Sequence, residues 1–228
     1  MTATEIIYAI REKLKSYTDD TRYTDSYLYF LMNLKRALFI RREYNQLQRT
    51  IDAEVLQTIR IPLEEVDTSE CPECAPGCDT CTVVRTTLRL PKTIELHNRN
   101  TITKISPVGV YERPINFITM ERMPYAGESK YENNFVFAAL HSDGYLYFKS
   151  NPSSIRNLET VTVTALFENP DDVSKFKCNG TTCYNTTDYE FPVKAWMVDI
   201  IIAEIVQELA NLKQLPADTK NDARETPE

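Results

Sequence analysis

Six cysteines are the side chains with the most chemistry to offer. Four of them lie in the run Cys71-Pro-Glu-Cys74-Ala-Pro-Gly-Cys78-Asp-Thr-Cys81. Two CxxC pairs present four thiols, and four thiolates hold Zn²⁺ tetrahedrally. The spacing between the pairs works against that. Zinc ribbons place about 15–20 residues between their pairs, so that two hairpins reach the ion from opposite sides. Here one short loop, supported by Pro72, Pro76 and Gly77, would have to wrap the metal alone. The run therefore reads as a cysteine-rich surface loop without metal, and a zinc-stabilised protein-binding module is the alternative. Cys178 and Cys183 bracket four residues that a disulfide would close into a small loop. In a cytosolic product such a bond forms only after release.

Other reactive patterns are missing. His97 and His141 are the only histidines, neither at a metal-ligand spacing, and each reads as packing or turn chemistry. A pairing of His97 with a cysteine as a protease dyad has nothing to support it. The chain holds no GxSxG, GxGxxG or GxxxxGK[ST], so neither a nucleophile elbow nor a phosphate-cradling loop is present. No DxD or ExxH cluster suggests a hydrolase. The formal net charge of −7 opposes a general DNA-binding surface, which needs clustered cations to neutralise phosphates. That charge fits DNA passing without adhesion, and equally fits plain solubility.

The elements that would position these residues follow from periodicity. Thr2 and Glu5 have capping-box spacing ahead of Ile6, Ile7, Ile10, Leu14 and Tyr17, predicting a helix over 2–17. A turn at 18–22 leads to a second helix, 25–48, with Tyr27, Leu28, Leu31, Leu34, Leu38 and Arg41 as its inner stripe. From residue 53 the texture turns to strand, with Ile59, Ile61 and Leu63 alternating. Further strands are expected at 83–90, 94–96, 102–105, 117–120, 135–140, 145–149 and 160–167. His141-Ser-Asp-Gly144 reads as the hairpin turn between two of them. A short helix at 171–176 and a polar loop at 178–188 precede the last helix. That helix starts near Phe191-Pro192, with Val193, Trp196, Met197, Ile200, Ile201, Ile205, Leu209 and Leu212 at helical spacing.

Helices and strands are thus segregated, which makes the class α+β: N-terminal helices and a long C-terminal helix packed with a mainly antiparallel β module. One domain is expected over 1–215, helical to 50, β-rich over 51–170, and loop and helix over 171–215. Residues 216–228 read as a flexible C-terminal tail. The start, Met1 to Glu5, carries neither a basic n-region nor an apolar h-region, and no run of about 18 apolar residues occurs. The expectation is a product folded in cytosol, without a membrane span.

Taken together, these segments resemble a known family. The opening Thr4-Glu-Ile-Ile-Tyr-Ala-Ile-Arg11, the stretch Tyr17-Thr-Asp-Asp20, and the helix Leu28–Arg42 are similar to the start of connector-type virion proteins of crAss-like phages of gut Bacteroidales. So are Leu63-Glu-Glu-Val-Asp-Thr-Ser-Glu-Cys71, Arg85-Thr86, Leu90-Pro-Lys-Thr-Ile-Glu-Leu-His97 and Glu121-Arg-Met-Pro-Tyr125. The aromatic hairpin at Tyr145-Leu-Tyr147, Phe167-Glu-Asn-Pro170 and the final Pro192-led helix complete the pattern.

The resemblance implies a structural subunit of the virion neck: a ring, dodecameric to match the portal, stacked below it. Such a ring extends the channel for DNA and ejected proteins and docks the tail. The implied partners are further copies of the chain, the portal protein, adjacent ring or tail proteins, and DNA bound without sequence preference. The implied location is the virion, with host cytoplasm during assembly. Neither catalysis nor a cofactor is implied. The candidate contacts are the basic end of the second helix (Lys35, Arg36, Arg41, Arg42), the final helix, and the tail with Pro216, Thr219 and Arg224. Against the final helix as a contact stands the reading that Trp196, Ile200 and Ile201 pack the core. Native mass separates this ring reading from a small zinc module, and an enzyme of unrecognised class ranks last.

Overall fold

The computed structural model describes residues 1–15, 23–46, 50–67, 69, 82–97, 99–108, 114–127, 129–132, 135–150, 158–178, 181–182 and 190–212. The cysteine run Cys71–Cys81, Cys183, the turn at 18–22 and the tail with Pro216, Thr219 and Arg224 lie outside the described residues.

Helix α1 is Ala3–Lys15. Its capping box closes in both directions. The Thr2 N–H donates to Glu5 Oε2 at 2.9 Å, and the Glu5 N–H donates to Thr2 Oγ1 at 3.3 Å. Two N–H groups at the helix start thereby find partners. Helix α2 is Asp25–Gln46. The three-residue and four-residue spacing of Ala3, Ile6, Ile10 and Leu14 on α1 puts them on one face, and that face is buried against α2 and the C-terminal helix.

Strand β1, Gln57–Asp67, is the spine of the β module. Its first half pairs antiparallel with β7 (Thr160–Ala165), from Gln57–Ala165 to Pro62–Thr160. Its second half pairs antiparallel with β2 (Thr82–Thr86), from Leu63–Thr86 to Asp67–Thr82. One long strand thus ties two half-sheets together. The seven strands run β3-β7-β1-β2-β6-β5-β4, with β3 Ile102–Pro107, β4 Asn116–Ile118, β5 Phe137–Leu140 and β6 Leu146–Lys149. Every pairing is antiparallel except β4 with β5. A bridge between Ile105 and Ile115 brings the chain entering β4 against β3, so the sheet curls its two edges together.

Alternation decides which side is apolar. In β7, Val161, Val163 and Ala165 point inward, while the threonines between them are half-exposed. On the outer side Thr58 and Thr164 hydroxyls meet at 2.8 Å, and Ser106 and Thr162 at 2.7 Å. The interior gathers Ile59, Ile61, Ile105, Leu146, Phe148 and Phe167. A 3-10 segment, Met120–Tyr125, covers the opposite face near β2 through Met123, packed with Val83, Ala139 and Tyr147.

Three expectations need correction. Residues 94–96 form no strand; only isolated bridges, Thr93 with Phe167 and Leu96 with Arg99, occur there. The polar loop near 178 contains a minute ladder of β8 (Lys177–Cys178) and β9 (Thr181–Thr182). The last helix, α4, starts at Ala195 and runs to Leu212. Phe191 and Val193 are buried but belong to its extended lead-in. Thr2 pairs with Glu190 there, and the Phe191 N–H donates to the Met1 carbonyl. Backbone pairing with the N-terminus holds this segment out of the helix. The short helix α3 is Pro170–Val173, capped by Asn169, whose side chain accepts from the Asp171 N–H.

A fourth apolar cluster joins the helices to the sheet: Ile40 and Tyr44 from α2, with Val55, Ile94 and Leu166.

Candidate interaction surface

The inner row of α2 is Leu28, Met32, Arg36, Ile40 and Tyr44, one residue per four, with Leu31 beside it. The sequence reading put Leu34, Leu38 and Arg41 on that row. They lie on the opposite side. Arg36 is the reason the pattern misleads, because a fully buried arginine occupies the centre of the true core row. Its Nε donates to the Pro192 carbonyl at 2.7 Å, and its Nη1 donates to the Phe167 carbonyl at 2.8 Å. The guanidinium lies 5.8 Å from the centre of the Phe191 ring. Arg36 is therefore an internal clip between α2, the end of the β module and the lead-in to α4. It is not a surface contact of the subunit.

Lys35 is likewise engaged within the chain. Its Nζ lies 2.7 Å from Glu208 and 3.5 Å from Glu204, both on α4. The hydrogen bond to Glu208 raises its pKa above the ordinary lysine value, against the opposing effect of burial. Lys194, just ahead of α4, makes the equivalent clip to Asp52. That hydrogen bond raises its pKa. The Tyr44 hydroxyl donates to the same Asp52 carboxylate at 3.0 Å, and burial raises the phenol. Of the four basic candidates only Arg41 and Arg42 remain on the surface, both exposed.

Between Tyr27 and Leu38, what α2 presents outward is an apolar row. Tyr27, Phe30, Leu34 and Leu38 are 39%, 60%, 44% and 52% exposed. Sequence reasoning omitted Phe30 and took the other three for core. The signal was present as a second row at helical spacing, 27-30-34-38, offset from the row 28-32-36-40. Beside it an open groove of about 610 Å³ separates α2 from the segment Leu90–Glu95 and the β5–β6 turn. Leu34, Leu38, Leu90, Pro91 and Leu140 supply apolar walls; Arg41, Lys92 and Glu168 stand among the lining residues. On α4, Ile201 is buried as expected, but Trp196 and Ile200 are 47% and 39% exposed. The reading of that pair as core is corrected. The core face of α4 is Met197, Ile201, Ile202, Ile205 and Leu209, and Trp196 and Ile200 fall outside that arc.

His141 and its neighbours form the main polar network near the groove. Asp143 Oδ1 accepts from the Tyr145 N–H at 2.8 Å, and Oδ2 accepts from the Tyr147 hydroxyl at 2.9 Å. His141 Nδ1 lies 3.2 Å from Asp143. Burial pushes the Asp143 carboxyl up, but these hydrogen bonds outweigh it and hold it below the usual carboxylate range. Arg85 lies over the Tyr145 ring at 4.5 Å and donates to Glu64. Gly144, at φ +87°, lets the turn close. The network locks a hairpin, and its carboxylate is spent on that task. Among the described residues no group of three or more His, Cys, Asp or Glu gathers to hold a metal. No described helix is long and apolar enough to cross a membrane.

A sequence family described as phage tail ring protein 2 matches residues 5–226. Ring protein 2 of Bacteroides phage crAss001 is 30% identical over 228 residues, a span covering 99% of this chain and 97% of that protein.

Proposed function

The chain belongs to the phage tail ring protein 2 family of crAss-like phages, and from that premise we propose that it is a neck connector subunit. Copies of it close a dodecameric ring stacked below the portal. The ring extends the channel through which DNA and proteins leave the particle, and it offers the tail a platform. Its neighbours are the portal protein and an adjacent ring or tail protein. DNA passes without sequence-specific contact, and assembly takes place in host cytoplasm before the subunit is locked into the virion. No catalytic role and no cofactor belong to this assignment.

The observation that carries the reading is the extent of the family match, which runs through every helix and strand described rather than through one motif. The geometry supports it in two ways. Internal clips at Arg36, Lys35 and Lys194 fasten the helices to each other and to the β module, as a wedge in a ring requires. Apolar side chains remain on the outer faces of α2 and α4, where other chains can cover them.

Native mass spectrometry of particle-derived neck complexes, together with their zinc content, tests the assignment. The expected result is a complex with many copies of this chain and less than one zinc per copy, whose melting is unchanged by a chelator. A monomer or dimer carrying stoichiometric zinc, unfolded by chelation, would instead establish a zinc module at Cys71, Cys74, Cys78 and Cys81.

A further inference from the structure

Resting on the ring assignment, we propose that the outer face of α2 is the seat for a second copy of this chain, and that what it receives is the outer face of the neighbour's α4, with Trp196 as the anchor in the groove beside Leu38.

The outer face of α2 is a continuous feature. Steps of three and four residues hold Tyr27, Phe30, Leu34 and Leu38 within an arc of roughly 80°, along about 16 Å of helix. Single exposed apolar side chains are ordinary on any protein. A row of four beside a groove of mixed apolar and polar lining is the mark of an interaction site. The inner face of the same helix is used by the core, and among the described residues the outer face is left largely open.

The occupant follows from how rings close. Cyclic assembly joins two different patches of the same chain, head to tail, so each subunit must carry a matching pair. The second patch is on α4. Trp196 and Ile200 lie one turn apart, with exposed Ala203 on the turn after. It spans about 10 Å of helix and so covers part of the longer row on α2 as helix on helix. Tryptophan is the side chain most often found at the energetic centre of such contacts, seated in a desolvated pocket. The groove between α2 and Leu90–Pro91 has room for an indole, at about 610 Å³.

Charge favours the same pairing. Arg41 follows Leu38 by three residues on the outer row, and Asp199 sits beside Ile200; both are exposed. Neither has an ion-pair partner among the described residues. A cation at the end of one patch and an anion within the other fix register when the faces meet, although an exposed pair adds little affinity.

The test uses the full chain with p-benzoylphenylalanine in place of Trp196, mixed with ¹⁵N-labelled copies and irradiated. The expected product is an inter-copy link to a peptide from 27–42 or 88–95. Leu34→Glu with Leu38→Glu in the receiving copy should reduce that link at least tenfold while leaving its melting temperature unchanged, because both sites face outward. The reciprocal probe at Leu38 should link to the peptide containing Ile200. Inter-copy links to other segments, or a chain that stays monomeric and unlinked at its highest soluble concentration, would overturn the proposal. The ring assignment has its own readout, the copy number in neck complexes, and stands or falls separately.

Discussion

Arg36 is a charged side chain with no accessible surface, held by main-chain carbonyls at two points remote in sequence. Removing it leaves those carbonyls without their strong donor in a dry interior. Arg36→Met should therefore cost about 3 kcal/mol of stability, measured by urea unfolding, whereas Arg41→Ala, at an exposed site, should change it by less than about 0.5 kcal/mol. Equal effects would contradict the division of the basic run into one internal clip and one surface charge. The alkaline limb of stability is also set at this scale. Hydrogen bonds to Glu208 and Asp52 raise the pKa values of Lys35 and Lys194 above the ordinary 10.5, and burial raises Tyr44 above 10.0. A pKa raised in the folded state gives stability that is complete below the unfolded value and is lost as pH climbs through the folded one. The unfolding midpoint should therefore hold steady from neutral pH to about pH 10 and then fall, with the fall blunted in Lys35→Met and Lys194→Met. Asp143 is shifted the other way, so its contribution disappears as pH falls below the usual carboxylate range. Sequence revealed the capping pair Thr2 and Glu5 because both partners are local. It could not reveal Arg36, whose acceptors lie more than a hundred residues away.

At the scale of elements, α2 explains why its inner face was misread. Both rows of the helix are apolar, and the row interrupted by arginine is the one that is buried. The expected stripe, Tyr27, Leu28, Leu31, Leu34, Leu38 and Arg41, drew on both rows and passed over Arg36, since a charge in the middle of a core row is normally too costly to keep. Only the carbonyls supplied by the β module and the α4 lead-in make it affordable. The two rows should respond differently to truncation. Ile40→Ala should destabilise by about 3 kcal/mol, as core deletions do, while Leu38→Ala should stay within about 0.5 kcal/mol; thermal melts of the two variants decide the point. The strands were more legible, because β1 and β7 alternate cleanly between the interior and the threonine-lined outside. Residues 94–96 deceived because Ile94 is buried like a strand residue, yet it packs into the joint between α2 and the sheet. The start of α4 was placed too early for a related reason. Phe191 and Val193 continue its apolar period, but pairing of Glu190 with Thr2 keeps that stretch extended.

At the scale of the molecule, helices α1, α2 and α4 make one core and the curled sheet another, with Ile40, Tyr44, Val55, Ile94 and Leu166 as the joint. The α+β class was readable from segregated periodicities, and the family from the order of segments along the chain. The curl of the sheet was not, since it depends on β1 serving two half-sheets and on Ile105 meeting Ile115. Nor was the apolar outer surface. It is defined by which face the partners in the fold leave uncovered, and that is a property of the assembled subunit. The central claim is that this chain is a ring subunit of the neck. Cryo-electron microscopy of the native particle tests it most directly. The account predicts cyclic density below the portal into which this fold fits, with the outer faces of α2 and α4 buried between neighbouring copies. A neck whose rings are all accounted for by other chains would contradict it.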